Sequence, residues 1–449
     1  MGRGIFNGML GNLEAAGEGL ADKRREGFDL KYKLTDALKC ALSVFFFQHP
    51  SMLDFQTKMK DRWKRSNLET IMGVKEIPSN VQITTLLDEI SPDRISGVFN
   101  ENLKVIDRWG GLKDYRCLDG GVLLALDGVW YHSSEQIHCE HCLHKTKDGI
   151  TTYYHSALAG TVVMPGNTAV LPVAPEMITN TDGEGGKKQD CERNAAKRRL
   201  SQHAEEYKWL SPTLLGDDLF SNYPFCKEVL EHGYSFIFTC KDDSHPRLTE
   251  TVKNSYLQEA SRREWNGRHH LVYTCQWLNG LEIRDNKQTL LVNYLSLSVW
   301  NEKLNKQTFH NTWITDKTIT AGNAFHLASC GRARWKIENE HNNVLKNHGY
   351  NLKHNFGHGK THASEMYCLV NLLAFQMHTI LDINDEDYRK ARACAGRRDE
   401  FFNELRFIMR FKLFESWQRF IAFMHSPHDL NLTHRIFLFQ NERKMTKAS

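Results

Sequence analysis

The stretch GVLLALDGVWYHSS, residues 121–134, decides the fold class of this 449-residue chain. Its run VLLAL lacks the alternation of a half-buried strand and is typical of a strand covered by helices on both faces. Asp127 follows the run directly. Because ligands of open α/β sheets bind at the ends of the strands, we predict that this carboxylate faces a crevice.

The segments after this strand continue in the order β-β-α-β-α-β, which predicts a mixed sheet flanked by helices. They cover residues 151–164, 168–175, 190–207, 213–222, 224–233 and 234–240. Pro165-Gly166-Asn167 predicts a hairpin turn between the first two. TLLGDDLFSN repeats the pattern of an apolar strand followed by acids, and we prefer Asp217 to Asp218 because it follows the strand more closely.

The remaining segments divide the chain into five predicted regions. Alternating strands with a tight-turn signal at Asn279-Gly280 indicate a β-rich insertion, and a long helical stretch with Glu338 follows it. Both ends of the chain are helical in pattern, although residues 1–30 resemble a loose leader. The predicted regions are 1–119 (helical, DNA binding and assembly), 120–245 (catalytic core), 246–318 (β insertion), 319–375 (glutamate helix and following loop) and 376–449 (helical, with a candidate role in dimerisation).

Composition excludes several classes of protein. Hydrophobic residues make up 41% and charged residues 25%, as in a folded globular chain rather than a disordered one. No apolar run approaches the roughly 18 residues of a membrane span, and no signal peptide is recognisable. The net charge of 58 − 54 = +4 leaves only local basic clusters as candidate nucleic-acid contacts. Eleven scattered cysteines favour reduced thiols in a cytoplasmic protein.

Three acids are candidate ligands for metal ions, namely Asp127, Asp217 and Glu338. Converging carboxylates repel one another unless a cation lies between them, and oxygen ligands suit Mg²⁺ or Mn²⁺. Two such ions can activate a hydroxyl and stabilise the leaving oxygen of a phosphodiester. The competing interpretation is structural, with two acids capping strand ends and Glu338 paired with Arg334 along a helix.

The sequence motifs around these acids favour a catalytic role. RARWKIENEHNNVLK, residues 332–346, resembles the glutamate motif of bacterial insertion-sequence DDE transposases (insertion-sequence-four-like superfamily), in which Tyr, Arg, Glu and Lys recur along one helix. LALDGVWYHS and GDDLFSN are similar to the first and second aspartate motifs of that family. Two positions depart from the pattern, because Gly331 replaces the tyrosine and Lys346 lies eight residues after Glu338 rather than seven.

The resemblance implies a ribonuclease-H-like core interrupted by the β insertion, and cut-and-paste DNA transposition with two Mg²⁺ or Mn²⁺ ions. Asp127, Asp217 and Glu338 would hold the ions, and Arg334 would hold a phosphate. The implied partners are double-stranded DNA (terminal inverted repeats and target) and a second copy of the chain on paired ends. It also implies the nucleoid of a bacterial or archaeal cytoplasm and no membrane. Alternatives are a non-cutting DNA-binding relative and a nuclease without strand transfer.

A separate cluster, IHCEHCLHK at residues 137–145, contains the spacing Cys139-x₂-Cys142. This spacing is half of a tetrahedral zinc site, and the nearest residues that could complete it are His155 and Cys191. The alternative is a loop with unligated thiols. The sequence therefore predicts a candidate structural Zn²⁺, separate from the catalytic ions.

Further candidates for contacts with DNA or with a second copy of the chain are local basic clusters, one tryptophan and one apolar helix face. Trp313 either stacks on an unpaired base or lies in the core. The apolar positions between Phe401 and Trp417 recur at helical spacing, which fits either a dimer surface or an intramolecular core. The candidate phosphate contacts are Lys64, Arg65, Lys187, Lys188, Arg198 and Arg199, together with Lys346 of the glutamate motif.

Overall fold

Two units make up the structure, a computed structural model that describes residues 4–22, 24, 31–59, 66–180, 188–285 and 288–426. Unit 1 combines Met1–Gly111 with Val344–Ser449, and unit 2 is Leu112–Asn343. The N- and C-terminal helical regions, predicted as separate, therefore belong to one unit. The predicted region 319–375 is divided between the two units.

Unit 2 is built on a mixed sheet flanked by helices, as predicted. In it β1 pairs parallel to β5 and antiparallel to β3, β5 pairs parallel to β6, and β4 pairs antiparallel to β3. The strands are β1 Leu123–Ser134, β2 Leu143–Lys147, β3 Ile150–Val163, β4 Leu171–Ile178, β5 Thr213–Gly216, β6 Ser235–Thr239, β7 Gln258–Trp265, β8 His270–Asp285, β9 Gln288–Asn301 and β10 Lys306–Thr315. The sheet order is β2-β3-β1-β5-β6-β10-β9-β8-β7, with β4 beside β3.

The strands of the predicted β insertion continue this sheet, because β10 pairs antiparallel to β6. The hairpin turn at Pro165-Gly166-Asn167 is confirmed between β3 and β4. The turn predicted at Asn279-Gly280 is wrong: β8 runs through it, and its pairing with β9 shifts register there as a bulge. A bulge and a tight turn both favour glycine at positive φ, here +77°, so the signal was ambiguous. The Asn279 side chain fixes the bulge by bonding the backbone N and O of Ile319 at 3.0 and 2.8 Å.

The helices of unit 2 include an irregular segment at the glutamate motif. The regular ones are α7 Glu192–Tyr207, α8 Tyr223–Glu231, α9 Pro246–Lys253 and α10 Ala324–Arg332. After α10 the chain forms a π-helix, Ile337–Asn342, and then α11, Asn343–Asn347, at the boundary of the units. The single long helix predicted over 319–349 is therefore interrupted. π-Helical turns are rare and occur frequently at functional sites.

Unit 1 is helical. Its helices are α1 Ile5–Glu18, α2 Leu34–Phe46, α3 Met52–Met59, α4 Asn67–Met72, α5 Asn80–Asp88, α6 Asp93–Arg108, α12 Ala363–Asn384, α13 Glu386–Ala395, α14 Arg398–Phe411 and α15 Trp417–His425. The prediction of a loose leader is wrong for α1, which buries Phe6, Met9 and Leu13 despite its glycines. Among the described residues, α12 alone has the length and hydropathy of a membrane span, and 89% of its apolar window is buried inside the protein.

The apolar face of the C-terminal helices lies in the core of unit 1. The ring of Trp417 stacks on Phe6 with centroids 4.8 Å apart, and Phe402 lies 5.0 Å from the ring of His378. Both Phe401 and Phe402 are buried. The core alternative is therefore confirmed, and the candidate dimer surface between Phe401 and Trp417 is wrong because its side chains already pack within the chain.

Candidate active site and metal centre

Asp127 lies within β1, beside a buried stretch of the sheet. Its carboxylate accepts a hydrogen bond from Asn342 Nδ2 at 2.9 Å, and Asn342 is the last residue of the π-helix. Burial raises the pKa of Asp127 to about 7, and the negative charges of Glu338, Glu192 and Asp217 add to that shift. The sequence-predicted acids therefore surround Asp127 closely enough to interact with it.

The structure also distinguishes the two acids that follow β5. Asp217 caps the short 3₁₀ turn Asp218–Phe220 by accepting a bond from Leu219 N at 3.0 Å. Asp218 instead accepts bonds from Lys241 N at 2.6 Å and from Ser244 Oγ, and it lies 3.7 Å from His245 Nε2. Because Asp218 holds this loop together while Asp217 interacts with Asp127, the geometry supports the preference for Asp217.

Glu338 extends from the π-helix and pairs with Arg334, whose Nη2 lies 2.7 Å from Glu338 Oε1. This is the ion pair of the structural interpretation. Arg334 is only 8% exposed, and its positive charge also opposes the raised pKa of Asp127. It therefore acts as the countercharge of the carboxylate cluster, and the guanidinium additionally lies over the half-exposed ring of Trp335 at 5.1 Å.

A fourth acid, Glu192, belongs to the same cluster and was missed in the sequence. It is the first residue of α7, and a Cβ added at Gly128 would lie 2.0 Å from its Oε1. Its carboxylate therefore lies against the backbone next to Asp127. Burial raises the pKa of Glu192, and Asp217 contributes to the shift. In the sequence, an acid in the first turn of a helix is indistinguishable from one that stabilises the helix N-terminus.

The cluster has the composition of a divalent-cation site. The carboxylates of Glu192, Asp217 and Glu338 all act on that of Asp127, and Arg334 supplies a single positive charge. Hard cations such as Mg²⁺ and Mn²⁺ prefer such oxygen ligands and would relieve the repulsion. Within the described residues, these carboxylate oxygens do not form a group with all atoms within 4.8 Å of one another, so binding would draw them inward.

The Cys/His cluster forms a second candidate centre in unit 2. The Cys139 and Cys142 sulfurs are 3.9 Å apart, and His155 Nε2 lies 3.6 and 3.4 Å from them. A tetrahedral zinc site with its usual bond lengths places two sulfurs about 3.8 Å apart and a sulfur and a nitrogen about 3.5 Å apart. The three ligands therefore already have the spacing that zinc needs. The hydrogen bond with the Cys142 thiol lowers the pKa of Cys139, which favours a metal-binding thiolate.

Cys191 does not belong to this group. It is exposed and precedes α7 as its N-terminal cap residue, so the predicted fourth ligand is wrong in this structure. The spacing of Cys139 and Cys142 predicted the pair correctly because a C-x₂-C turn is local. A fourth ligand depends on tertiary structure, and the sequence had offered Cys191 only as the nearest remaining cysteine.

The comparisons with known proteins add no family assignment. No family model and no curated protein matches this chain. Its function must therefore be inferred from the sequence motifs, the carboxylate cluster and the Cys/His geometry.

Two of the side chains predicted to contact phosphate are instead bonded to other residues of this chain. Arg198 pairs with Glu176 Oε1 at 2.9 Å and with Asp190 Oδ2 at 2.7 Å. Arg199 is buried, bonds the carbonyl of Ala174 and lies over the ring of Tyr207. The predicted phosphate role is therefore wrong for both, because a basic stretch on a helix does not reveal which of its charges point inward.

Trp313 lies in the core rather than at a DNA surface. It is 0% exposed, within β10, and its indole occupies the space beside Gly331. The base-stacking prediction is wrong in this structure, and the core alternative is confirmed. A Cβ at position 331 would lie 2.7 Å from the indole Nε1, so the buried indole leaves room for glycine but not for a larger residue there.

Of the remaining basic candidates, Lys188 and Lys346 lie within the described residues. Lys188 is exposed, while Lys187, Lys64 and Arg65 lie outside the described residues. Lys346 is on α11 and belongs to unit 1. The predicted phosphate contacts of these lysines and of Arg65 therefore stay predictions.

Proposed function

We propose that this chain is a metal-dependent DNA transposase that hydrolyses the ends of a mobile element and joins the 3′-hydroxyl to target DNA. The observation that carries the proposal is that acids from separate segments of the chain converge on Asp127. A protein gains nothing in stability from crowding carboxylates at a half-buried position. The cluster is therefore explained by a cation that binds there.

The proposed roles follow from position. Asp127, Asp217 and Glu338 would hold two Mg²⁺ or Mn²⁺ ions, and Glu192 lies close enough to join them or to orient a bound water. When bound, such ions lower the pKa of an attacking water or hydroxyl and stabilise the leaving oxygen of the phosphodiester. Arg334, released from Glu338 by the ions, would offer its guanidinium to a phosphate in bidentate fashion.

The architecture of unit 2 supports a ribonuclease-H-like core. Three antiparallel strands (β4, β3 and β1) continue into two parallel ones (β5 and β6), with Asp127 within β1 and Asp217 directly after β5. The motif words carry the family resemblance at the same residues. We infer a second copy of the chain on paired ends, since one active site has no means of sensing the second end.

Metal binding can be tested before any DNA substrate is known. Mn²⁺ is titrated into the full chain and followed by electron paramagnetic resonance. We expect Asp127→Asn, Asp217→Asn and Glu338→Gln each to weaken binding at least about tenfold. Glu340→Gln, on the same π-helix, and Asp218→Asn are the matched controls and should bind normally. Equal affinity in all variants would refute the proposal.

The reaction is tested on DNA that carries the sequences flanking the coding region in its genome. Strand cleavage and joining are followed with labelled fragments in Mg²⁺, and binding by mobility shift. Variants of the three acids should bind these ends but neither cleave nor join. Cleavage without joined product would instead indicate a nuclease, and binding without either product a non-cutting relative. Trp335→Ala reports whether this exposed ring contacts DNA, by about a tenfold loss of affinity.

A further inference from the structure

A second group of soft ligands lies in unit 2, away from the Cys139 cluster. It consists of Cys117, before the short 3₁₀ turn Leu118–Gly120, and of His326 and Cys330, one turn apart on α10. Cys117 Sγ lies 3.4 Å from Cys330 Sγ and 3.4 Å from His326 Nε2, and the last two atoms are 4.0 Å apart. From the geometry of this group we propose that Cys117, His326 and Cys330 bind a Zn²⁺ ion.

The distances between the three ligand atoms support this proposal. Around a tetrahedral zinc ion, two sulfurs lie about 3.8 Å apart, and a sulfur and a nitrogen lie about 3.5 Å apart. The three observed separations fall on either side of these values by a few tenths of an ångström. An ion at the centre of the triangle would reach every ligand with little movement of the backbone.

The placement of the ligands fits a metal site better than a chance contact. On α10 the i, i+4 spacing puts His326 and Cys330 on one face of the helix, and Cys117 approaches that face from a segment more than two hundred residues earlier. Cys330 is buried, Cys117 is half-buried and His326 is exposed. The side of His326 is therefore accessible to solvent, from which the ion can enter and water can supply a fourth ligand.

A disulfide between Cys117 and Cys330 is the competing explanation. A disulfide leaves no role for His326 Nε2, which lies as close to Cys117 Sγ as Cys330 does. It would also require the sulfurs to approach from 3.4 Å to about 2.0 Å and an oxidant to accept two electrons. Zinc binding needs no electron transfer: each thiol releases its proton to solvent, and Zn²⁺ balances the two thiolate charges.

The consequence is a cross-link between two segments that lead to the elements carrying the acids. Cys117 precedes β1, which carries Asp127, and Cys330 precedes the π-helix, which carries Glu338. A metal ion that joins these segments would fix the spacing of the two elements that supply the acids. This role is structural and independent of the proposed transposition.

The test measures metal content rather than activity. Zinc is determined by elemental analysis and native mass spectrometry on the full chain purified without added reductant, in a background where Cys139→Ser and Cys142→Ser remove the other site. We expect about one equivalent per chain in this background and none after adding Cys117→Ser and Cys330→Ser. Cys226→Ser, a buried cysteine outside both groups, should retain the ion and controls for the loss of a buried thiol.

A second readout keeps the test independent of folding defects in the double variant. His326→Ala changes an exposed side chain, and in the same Cys139→Ser and Cys142→Ser background it should bind Co²⁺ at least about tenfold more weakly, as followed by the thiolate-to-cobalt absorption. Unchanged zinc content in the Cys117/Cys330 variant would overturn the proposal. So would a mass lower by two hydrogens with no metal, which would indicate the disulfide.

Discussion

Replacing Asp127 by asparagine should stabilise the metal-free protein while weakening metal binding. The native pKa of about 7 lies above the value of 3.8 for an unshifted aspartate, so the native carboxyl holds its proton more tightly than the unfolded chain does. A difference of three units is worth about 4 kcal/mol in the free energy of unfolding. Asparagine is neutral, and its Oδ1 still accepts the bond from Asn342 Nδ2. The variant therefore avoids the free-energy cost of ionising a buried carboxyl in the native state.

Because the pKa of Asp127 is raised in the native state, the stabilisation by Asp127→Asn should depend on pH. Below about pH 4 the carboxyl is protonated in both states, and the wild-type protein carries no cost. Between pH 4 and 7 the native state binds more protons than the unfolded state, so its stability falls as the pH rises. Above pH 7 the cost is complete. The stabilisation by Asp127→Asn should therefore be near zero at pH 4 and reach at most about 4 kcal/mol at pH 8.

Urea unfolding with a chelator present, at several pH values, measures this difference. Asp243→Asn, at an exposed aspartate, is the control and should follow the wild type at every pH. Adding Mn²⁺ at a hundred times the wild-type dissociation constant should restore about 2.7 kcal/mol to the wild type and at most about 1.4 kcal/mol to a variant that binds tenfold more weakly. The reasoning is refuted if wild type and Asp127→Asn unfold with equal free energies at pH 8 without metal.

Three further changes test other parts of unit 2. Gly331→Ala should lower the free energy of unfolding by about 1–2 kcal/mol, because its Cβ would lie within 3.0 Å of buried indole atoms, whereas Gly322→Ala should be neutral by the same urea assay. Gly128→Ala should leave stability within about 1 kcal/mol but push away the Glu192 carboxylate, which weakens Mn²⁺ binding several-fold in resonance titrations if that acid takes part. Cys139→Ser should remove about one equivalent of zinc by elemental analysis, and an unchanged zinc content would exclude the site.

Features that depend on neighbouring residues could be predicted from the sequence. An apolar run followed by an acid predicted the end of β5, and the C-x₂-C spacing predicted one half of the Cys139 cluster. The same pattern was wrong for the end of β1, which continues past Asp127 to Ser134 because its later residues pair with β3. The same reasoning failed at Trp313 and Arg198, because an aromatic ring or a basic side chain has the same local signature in the core and on a surface. Burial is decided by partners that are distant in sequence.

The glutamate segment illustrates a second limit. Regular helical geometry placed Arg334 and Glu338 on one face correctly, since four residues make about one turn in either type of helix. It could not predict the π-helix, which widens the turn and brings Asn342 to Asp127. Glu192 was missed for a related reason, because its proximity to Asp127 depends on where α7 starts beside Gly128.

The two Cys/His groups lie on either side of β1 along the chain. Cys117 lies before β1, Cys139 and Cys142 lie after it, and His155 lies on β3, opposite His132 of β1. Asp127 lies between them in the sequence, where neighbouring acids raise its pKa and would repel its ionised carboxylate. Metal cross-links at both ends of β1 would oppose a shift of the strand in response to this repulsion, since a bound structural ion contributes its binding free energy to the folded state. The carboxylates could then remain crowded in the absence of Mg²⁺ or Mn²⁺, ready to bind these ions without rearrangement of the strand.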